Sequence, residues 1–413
     1  MTKPDGNRRF KAARVAAGYP SQQALVKALA REGLAVDVRQ VRRWESATPP
    51  WPYQAAQDAL TSLLKASIEE LGFTPPDGRD RPVTTRRRVT APHAPAARTP
   101  MQNVGAMQPA TVAADYLAVT RAHRRLYWTV APAALHPAVT AHAALGTELL
   151  PATAGATGQT VAAALAESLL LAGRIEFFDL REPQQATATW LRAVQAAGEA
   201  DDSILGSAIL AHMAFAPGWA GDREGAAERM VMARTYARRG PASPLFLAWL
   251  DAVEAECETR SGQTRTALNL IAHGEDLLAG GGEAAPAPEW MDWFSPARLA
   301  AFKGNTQLIA GHLPQARTTL LGALDALPTD ADKQRTVLLG DLAAVEAAAG
   351  LPEAACGYAL RALDQLETHW YATGMERVRE VRRTLARWQH EQCVRDLDDR
   401  LYGWGPTLSA LTR

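Results

Sequence analysis

Three arginines lie close together near the N-terminus, within residues 37–45, DVRQVRRWE. They are Arg39, Arg42 and Arg43. A guanidinium group is planar and permanently charged, and its fork of N–H donors matches a phosphate or the edge of a guanine base. If the segment is helical, Val41 and Trp44 share one side and the arginines face away from it. Asp37 can cap the first turn by accepting backbone N–H bonds. The pattern predicts a short helix with an apolar inner side and a cationic outer side, typical of a helix that reads DNA.

Two further helices are predicted before this one. Residues 7–17 form a basic amphipathic run that Gly18 closes, and residues 21–29 begin with Ser21, a cap residue, followed by two glutamines. The N-terminal segment is therefore expected to consist of a first helix, a second helix, a turn and the cationic third helix.

The order of these landmarks resembles the helix-turn-helix domain of the XRE, or Cro-repressor-like, family. The matching residues are Arg14-Val15-Ala16-Ala17-Gly18, Ser21-Gln22, Leu25, Leu29, Arg43-Trp44-Glu45 and Pro49. The resemblance covers residues 7 to about 73. It implies a domain that binds double-stranded DNA.

The resemblance also implies a role for single positions. Gln22 would bond a phosphate or a base edge. Val38, Arg39 and Arg43 would meet bases in the major groove, and Gln40 and Arg42 the backbone or flanking bases. Arg14 and Glu45 would form an internal ion pair that supports the geometry. Residues 30–36 are longer than the family's usual turn and Val26 stands where alanine is common, which leaves the register in the groove open. The alternative is that the arginines form a solvated helix surface.

Charge is distributed unevenly along the chain. The 413 residues contain 44 Lys+Arg and 44 Asp+Glu, so the formal net charge is zero. Residues 1–100 contain 17 basic and 9 acidic residues, a net charge of +8, which leaves −8 for residues 101–413. A DNA duplex would attract the first part and repel the second. Overall neutrality is therefore no argument against DNA binding.

Length and composition predict more than one domain. Residues 1–74 are the predicted helix-turn-helix domain, residues 75–109, rich in Pro, Ala, Thr and Arg, a disordered linker, and residues 110–405 an all-α repeat domain. Within the linker, Arg86-Arg87-Arg88 either reaches a minor groove or serves as a solubilising charge run. The chain has no long uncharged apolar segment and no apolar leader at its N-terminus. We therefore expect a cytoplasmic protein without membrane contact.

Sequence signatures of catalysis and of metal binding are missing. The chain contains no phosphate-binding G-x4-G-K-[ST] loop, no H-E-x-x-H zinc motif and no G-x-S-x-G nucleophile turn. Cys257, Cys356 and Cys393 lie far apart in sequence, without metal-ligand spacing, and are expected to be small buried residues. A redox-sensing role for one of them is the alternative. We predict no enzyme activity and no cofactor.

A degenerate repeat runs through the alanine-rich part of the chain. A glycine is followed five residues later by a small residue, and by a second one seven residues after that. The copies are Gly221-Ala226-Ala233, Gly262-Ala267-Gly274, Gly311-Ala316-Ala323 and Gly350-Ala355-Ala362, with Ala186-Ala193 as a fifth. Small residues seven apart allow a neighbouring helix to approach closely, and the glycine ends the preceding helix. The pattern resembles the tetratricopeptide repeat, although the first small residues are 40, 41, 49 and 39 residues apart instead of the ideal 34. It predicts an α-solenoid over roughly residues 160–370, with residues 115–150 opening it and charged residues 374–399 closing it.

Aromatic residues concentrate at the junctions of these repeats. They are Trp219, Trp249, Trp290, Trp293, Trp370 and Tyr371. Either they fill the space between helices or they form a groove for a small-molecule or peptide effector. The leading hypothesis is a sequence-specific DNA-binding transcriptional regulator that acts as a homodimer and whose repeat domain dimerises, senses a ligand or partner, or both. This combination of domains resembles actinobacterial regulators. The alternative is a protein- or peptide-binding scaffold whose N-terminal domain does not bind DNA specifically.

Overall fold

The computed structural model describes residues 6–31, 34, 36–68, 70–74, 108–280 and 286–404, and every regular element within these ranges is helical. The predicted all-α class is therefore confirmed. The chain divides into two compact units, Met1–Thr99 and Pro100–Arg413. Most of the predicted linker, including Arg86, Arg87 and Arg88, lies outside the described residues. None of the helices in the described ranges combines the length and apolar character needed to cross a membrane.

The N-terminal unit contains four described helices. They are α1 (Arg8–Ala16), α2 (Gln22–Arg31), α3 (Val38–Trp44) and α4 (Gln54–Leu64). Gly18 has a φ of +86°, which allows the sharp reversal between α1 and α2. The second helix runs two residues beyond its predicted end at Leu29, and this shortens the connection to α3.

Aromatic side chains at the centre of this unit join its helices. Phe10 of α1 and Trp44 of α3 are fully buried, with ring centroids 6.1 Å apart. Phe73 packs edge-on against Phe10 at 5.5 Å. Leu25 and Leu60, from α2 and α4, are also fully buried. Because all four helices contribute to one core, the inner side of α3 is fixed and its outer side is left to solvent.

The C-terminal unit is built from fourteen described α-helices. They are α5 (Ala110–Leu126), α6 (Pro132–Leu149), α7 (Gly155–Arg174), α8 (Pro183–Glu199), α9 (Ser203–Trp219), α10 (Arg223–Ala237), α11 (Pro244–Arg260), α12 (Thr264–Ala279), α13 (Pro296–Ile309), α14 (Leu313–Asp325), α15 (Asp332–Ala348), α16 (Pro352–Thr368), α17 (Ala372–Thr384) and α18 (Gln392–Gly403). A π-helical turn, Ile175–Asp179, follows α7, and short 3₁₀ turns follow α6 and α17.

Helices α7 to α16 form five successive hairpins, in which each odd-numbered helix packs against the next. Four hairpins turn at Gly221, Gly262, Gly311 and Gly350, whose φ angles lie between +75° and +82°. Such angles are open to glycine without strain. The predicted small residues lie on the second helix of each hairpin, and all of them are buried. The odd-numbered helices also pack against one another, so the hairpins stack in series.

Close helix packing generates the first prediction. Gly173 of α7 lies against the fully buried indole of Trp190, which a Cβ atom at position 173 would overlap. Gly357 lies in the middle of α16 with nothing near the place of a Cβ. We expect Gly173→Ala to lower the free energy of unfolding by about 1–3 kcal/mol through overpacking. Gly357→Ala should raise it by up to about 1 kcal/mol, because alanine favours a helix.

Chemical denaturation of the full chain, followed by circular dichroism, would measure both changes. Shifts of the same sign in the two variants would contradict the packing described for α7 and α8.

Candidate functional site

Helix α3 rests on the core with one side only. Val41 and Trp44 are fully buried, whereas Val38 and Gln40 are partly exposed. The exposed arginines are Arg39, Arg42 and Arg43. Asp37 caps the helix, because its Oδ1 accepts a 2.7 Å hydrogen bond from the Gln40 backbone N–H. No described residue forms a salt bridge with these arginines, and their side chains are exposed to solvent.

An ion pair holds α3 in place. The Arg14 side chain of α1 is buried, and its Nε lies 2.8 Å from Glu45 Oε1, directly after α3. Arg14 also donates a 2.6 Å bond to the Tyr19 carbonyl oxygen. The Gln22 amide of α2 donates to the other carboxylate oxygen of Glu45 at 2.5 Å. One carboxylate thus joins the first three helices. The sequence assigned Gln22 to a DNA contact only, and the structure shows that it also forms this internal bond. An amide nitrogen carries two hydrogens, so Gln22 retains one for a phosphate.

Asn7 is a positioning residue that the sequence reasoning missed. Its side-chain oxygen caps α1 by accepting from the Phe10 N–H at 3.1 Å. Its amide nitrogen donates to the carbonyl oxygens of Trp44, at 3.2 Å, and Leu71, at 2.9 Å. It therefore links the start of α1 to the end of α3. Asparagine is a common helix-capping residue, and its place at the start of the basic run was the available sequence signal. Nothing in the sequence indicated its bonds to the carbonyl oxygens of Trp44 and Leu71.

A second candidate site is a cavity in the C-terminal unit, which we call the inner cavity. Its walls come mainly from α7, α9, α11, α13, α15 and α17, and the cavity volume is about 100 Å³. Four of the six aromatic residues singled out in the sequence line it. They are Trp219, Trp249, Trp293 and Tyr371. Small-molecule sites are commonly concave, aromatic-lined spaces of this kind.

The other two aromatic residues lie elsewhere. Trp290 is buried and stacks on Trp293, with ring centroids 5.7 Å apart, but it does not line the inner cavity. Trp370 packs beside Trp404 at 5.8 Å and lines a separate cleft with His369. The single groove predicted from the sequence is therefore divided, because neighbouring residues in sequence face different sides of the packed helices.

Charged groups lie inside the cavity wall and are mostly paired. Lys333 Nζ is 3.4 Å from Asp179 Oδ1, and the Tyr127 hydroxyl donates to Asp179 Oδ2 at 2.9 Å. Burial raises the pKa of Asp179 and lowers the pKa of Lys333. Arg377 Nε is 3.2 Å from Asp341 Oδ1. Helix α17, which packs on α15, turns Arg377 toward the cavity.

Arg174, the last residue of α7, is the exception. Its side chain is only 6% exposed, its Nε has no hydrogen-bond partner, and no carboxylate of the described residues forms a salt bridge with it. Three aromatic rings surround the guanidinium carbon. Their centroids lie 4.5 Å away for Trp293, 5.0 Å for Tyr127 and 5.8 Å for Trp128. Cation–π contacts offset part of the cost of burying this charge but provide no acceptor for its N–H groups.

His212 adds no positive charge to the cavity. Burial, together with the nearby charge of Arg174, lowers the pKa of His212 to about 3. Its Nδ1 lies 2.8 Å from the Ala208 carbonyl oxygen, so the neutral ring carries its proton on Nδ1. The fixed positive charge of the cavity therefore belongs to arginine and lysine side chains.

The sequence reasoning named the aromatic wall and missed these charges. Arg174 and Glu176 interrupt the apolar stretch LLLAGRIEFF, residues 169–178, and this was a usable signal. Charged residues inside an apolar run are rarely buried unless they have a specific partner. The pairing of Lys333 with Asp179, 154 residues apart, left no sequence pattern.

The structure gives the cysteines a closer arrangement than the sequence suggested. Cys257 and Cys356 are buried, as expected, and Cys393 is half-buried. Packing of α18 on α16 places Cys393 next to Cys356. Burial, and to a smaller extent the neighbouring thiol, raises the pKa of Cys356 to about 12. A thiol with so high a pKa is a poor nucleophile. Within the described ranges, no three metal-ligating side chains gather into a site.

The Arg14–Glu45 pair generates the second prediction. Glu45→Ala leaves Arg14 buried without its carboxylate, so we expect the local stability of residues 6–74 to fall by about 2–4 kcal/mol. Hydrogen exchange of peptides from this unit, measured in the full chain, reports that change. Adding Arg14→Met should recover much of the loss, since no unpaired charge remains. Additive losses in the double variant would contradict a direct pair.

Comparisons with known proteins assign this chain to no family. A scan against protein-family models gives no match, and a search of curated proteins gives no significant similarity. Function must therefore be inferred from the geometry of α3 and of the inner cavity.

Proposed function

We propose that this protein is a sequence-specific DNA-binding transcriptional regulator. Its N-terminal unit would be an XRE-type helix-turn-helix domain, with α3 entering the major groove. The supporting observation is that α3 exposes Arg39, Arg42 and Arg43 while its opposite side is fully buried. Arg14 of α1 and Gln22 of α2 both bind Glu45, directly after α3. The cations of α3 are therefore presented on a rigid element.

The C-terminal unit would be a tetratricopeptide-like domain that receives a signal and dimerises. Its stacked hairpins with glycine turns and buried small residues support the repeat assignment. Dimerisation is proposed because one small domain contacts few base pairs, whereas two domains about 34 Å apart would read two half-sites together. The inner cavity is the proposed place of the signal.

Direct base contacts generate the third prediction. Selection from random duplexes by the full chain, at two salt concentrations, should enrich a site with two half-sites, each containing a guanine. Arg39→Ala with Arg43→Ala should lower affinity for the selected duplex by about 100-fold or more, since each bidentate contact contributes roughly 1–3 kcal/mol of discrimination. Fluorescence anisotropy of a labelled duplex would measure it.

The matched control is Arg125→Ala with Arg265→Ala, which removes two exposed arginines from the C-terminal unit. This control should bind the duplex like the wild type. If selection enriches nothing, or if the α3 double variant retains its low-salt affinity, the scaffold alternative is favoured and the regulator proposal fails.

Arg42 generates the fourth prediction, because the resemblance assigns it to the DNA backbone or to flanking bases, and the two roles differ in their salt dependence. Arg42→Ala should weaken selected and unrelated duplexes by a similar factor. The slope of log affinity against log salt should become shallower by about 0.9, the contribution of one phosphate contact. A change confined to the selected sequence would instead assign Arg42 to a base.

A further inference from the structure

The unpaired guanidinium of Arg174 points to an anionic ligand. A buried charge is stable only when it is paired or hydrogen-bonded, and an isolated one is strongly unfavourable. Arg174 lines the inner cavity, is nine-tenths buried, forms no salt bridge with a described carboxylate and has no acceptor for its Nε. A carboxylate placed in the cavity would provide both.

Other groups in the cavity do not remove this excess of positive charge. Three of its acids are already paired: Asp179 with Lys333, Asp341 with Arg377, and Glu256 with Arg260. Asp292 is a fourth acid nearby: its Oδ2 lies 3.8 Å from Arg124, burial raises its pKa, and the charges of Arg174 and Arg124 act against that rise. It forms no salt bridge with Arg174, and Arg124 also pairs with Glu167 at 2.6 Å.

A second arginine on the wall is also without a salt bridge. Arg298 of α13 lies over the Phe302 ring at 5.2 Å and forms no salt bridge with a described acid, although its charge acts on Glu256 and Asp341. The surplus on the wall is therefore cationic.

The aromatic groups of the cavity wall indicate what the uncharged part of the ligand would be. The indole N–H groups of Trp293 and Trp219 are buried without acceptors. The ring of His212 lies 5.1 Å from Trp249 and 5.2 Å from Trp293, so aromatic faces converge on the space beside Arg174. Aromatic pairs in such geometries are stabilised beyond simple area burial. A planar ring with an attached acceptor group matches this wall better than an aliphatic chain does.

We propose that the inner cavity binds a small aromatic carboxylate, whose carboxylate pairs with Arg174 and whose ring packs among Trp249, Trp293 and Phe215. The ligand would be the signal of the proposed function, and in that sense the inference rests on it. Binding itself requires no DNA, so the two can fail separately.

Calorimetry with the full chain tests the ligand class. Benzoate, phenylacetate and indoleacetate are each titrated beside the neutral amide of the same acid, with inorganic phosphate as a further probe. At least one carboxylate should bind roughly tenfold or more tightly than its amide, because a charge-assisted pair is lost in the amide. Equal binding of acid and amide, binding of phosphate alone, or no binding of any carboxylate would overturn the proposal.

Arg174→Met tests the residue. It should weaken the binding carboxylate by about 30-fold or more. It should also leave the ligand-free melting temperature unchanged or raise it, since an unpaired buried charge is replaced by an apolar side chain. Arg125→Met, an exposed arginine on α5, is the matched control and should bind like the wild type. Retained binding in Arg174→Met would overturn the assignment, and the comparison of acid with amide stands even if this variant does not fold.

The outcomes separate the inference from the proposed function. Carboxylate binding without any dependence of DNA affinity on Arg39 and Arg43 supports the cavity and rejects the regulator. DNA binding that depends on those arginines, without carboxylate binding, does the reverse. If both hold, the carboxylate should change DNA affinity, and DNA should change carboxylate affinity by the same factor.

Discussion

An arginine withdrawn from water needs a partner, and this chain meets that constraint in two different ways. Arg14 of α1 is buried beside Glu45, and this pair fixes α3, whose own arginines remain exposed. Arg174 is buried to a similar degree among aromatic rings and forms no salt bridge with a carboxylate of the described residues. The first arrangement is complete within the protein and supports geometry. The second leaves bonding capacity unused, which is the property expected of a binding site.

Small residues make the second arrangement sterically achievable. The buried alanine and glycine residues of the even-numbered helices let neighbouring helices approach closely. The odd-numbered helices are then free to place large side chains such as Trp219, Trp249 and Arg298 on the cavity wall. Each stacked hairpin contacts mainly its neighbours, so contacts across the cavity are those that join distant parts of the stack. Lys333 with Asp179, and the Thr373 hydroxyl with the Phe178 carbonyl oxygen at 3.2 Å, join helices far apart in the series.

Local physical chemistry made part of this structure predictable. The cap at Asp37 and the turns at Gly221 and Gly350 follow from the preferences of single residues, and the sequence identified them within one or two positions. Contacts between distant residues had no such signal. How whole helices pack determines three features: the Gln22–Glu45 bond, the Lys333–Asp179 pair and the separation of Trp370 from the cavity. Helical periodicity indicates which side of a helix faces inward, but not which residue of another helix that side meets. The DNA contacts of Arg39 and its neighbours stay a prediction.

A ligand at Arg174 would act on more than one element at once. Tyr127 follows α5, Trp293 precedes α13, and both rings lie against the Arg174 guanidinium at the end of α7. Neutralising that guanidinium changes the electrostatic balance among segments that are remote in the series of hairpins, and their relative positions set the curvature of the stack. If the stack can adopt two curvatures, a ligand shifts the equilibrium between them only by the difference between its affinities for the two. Tight binding alone would therefore not make the cavity a sensor, whereas a carboxylate whose pairing with Arg174 requires one position of the Trp293 segment would.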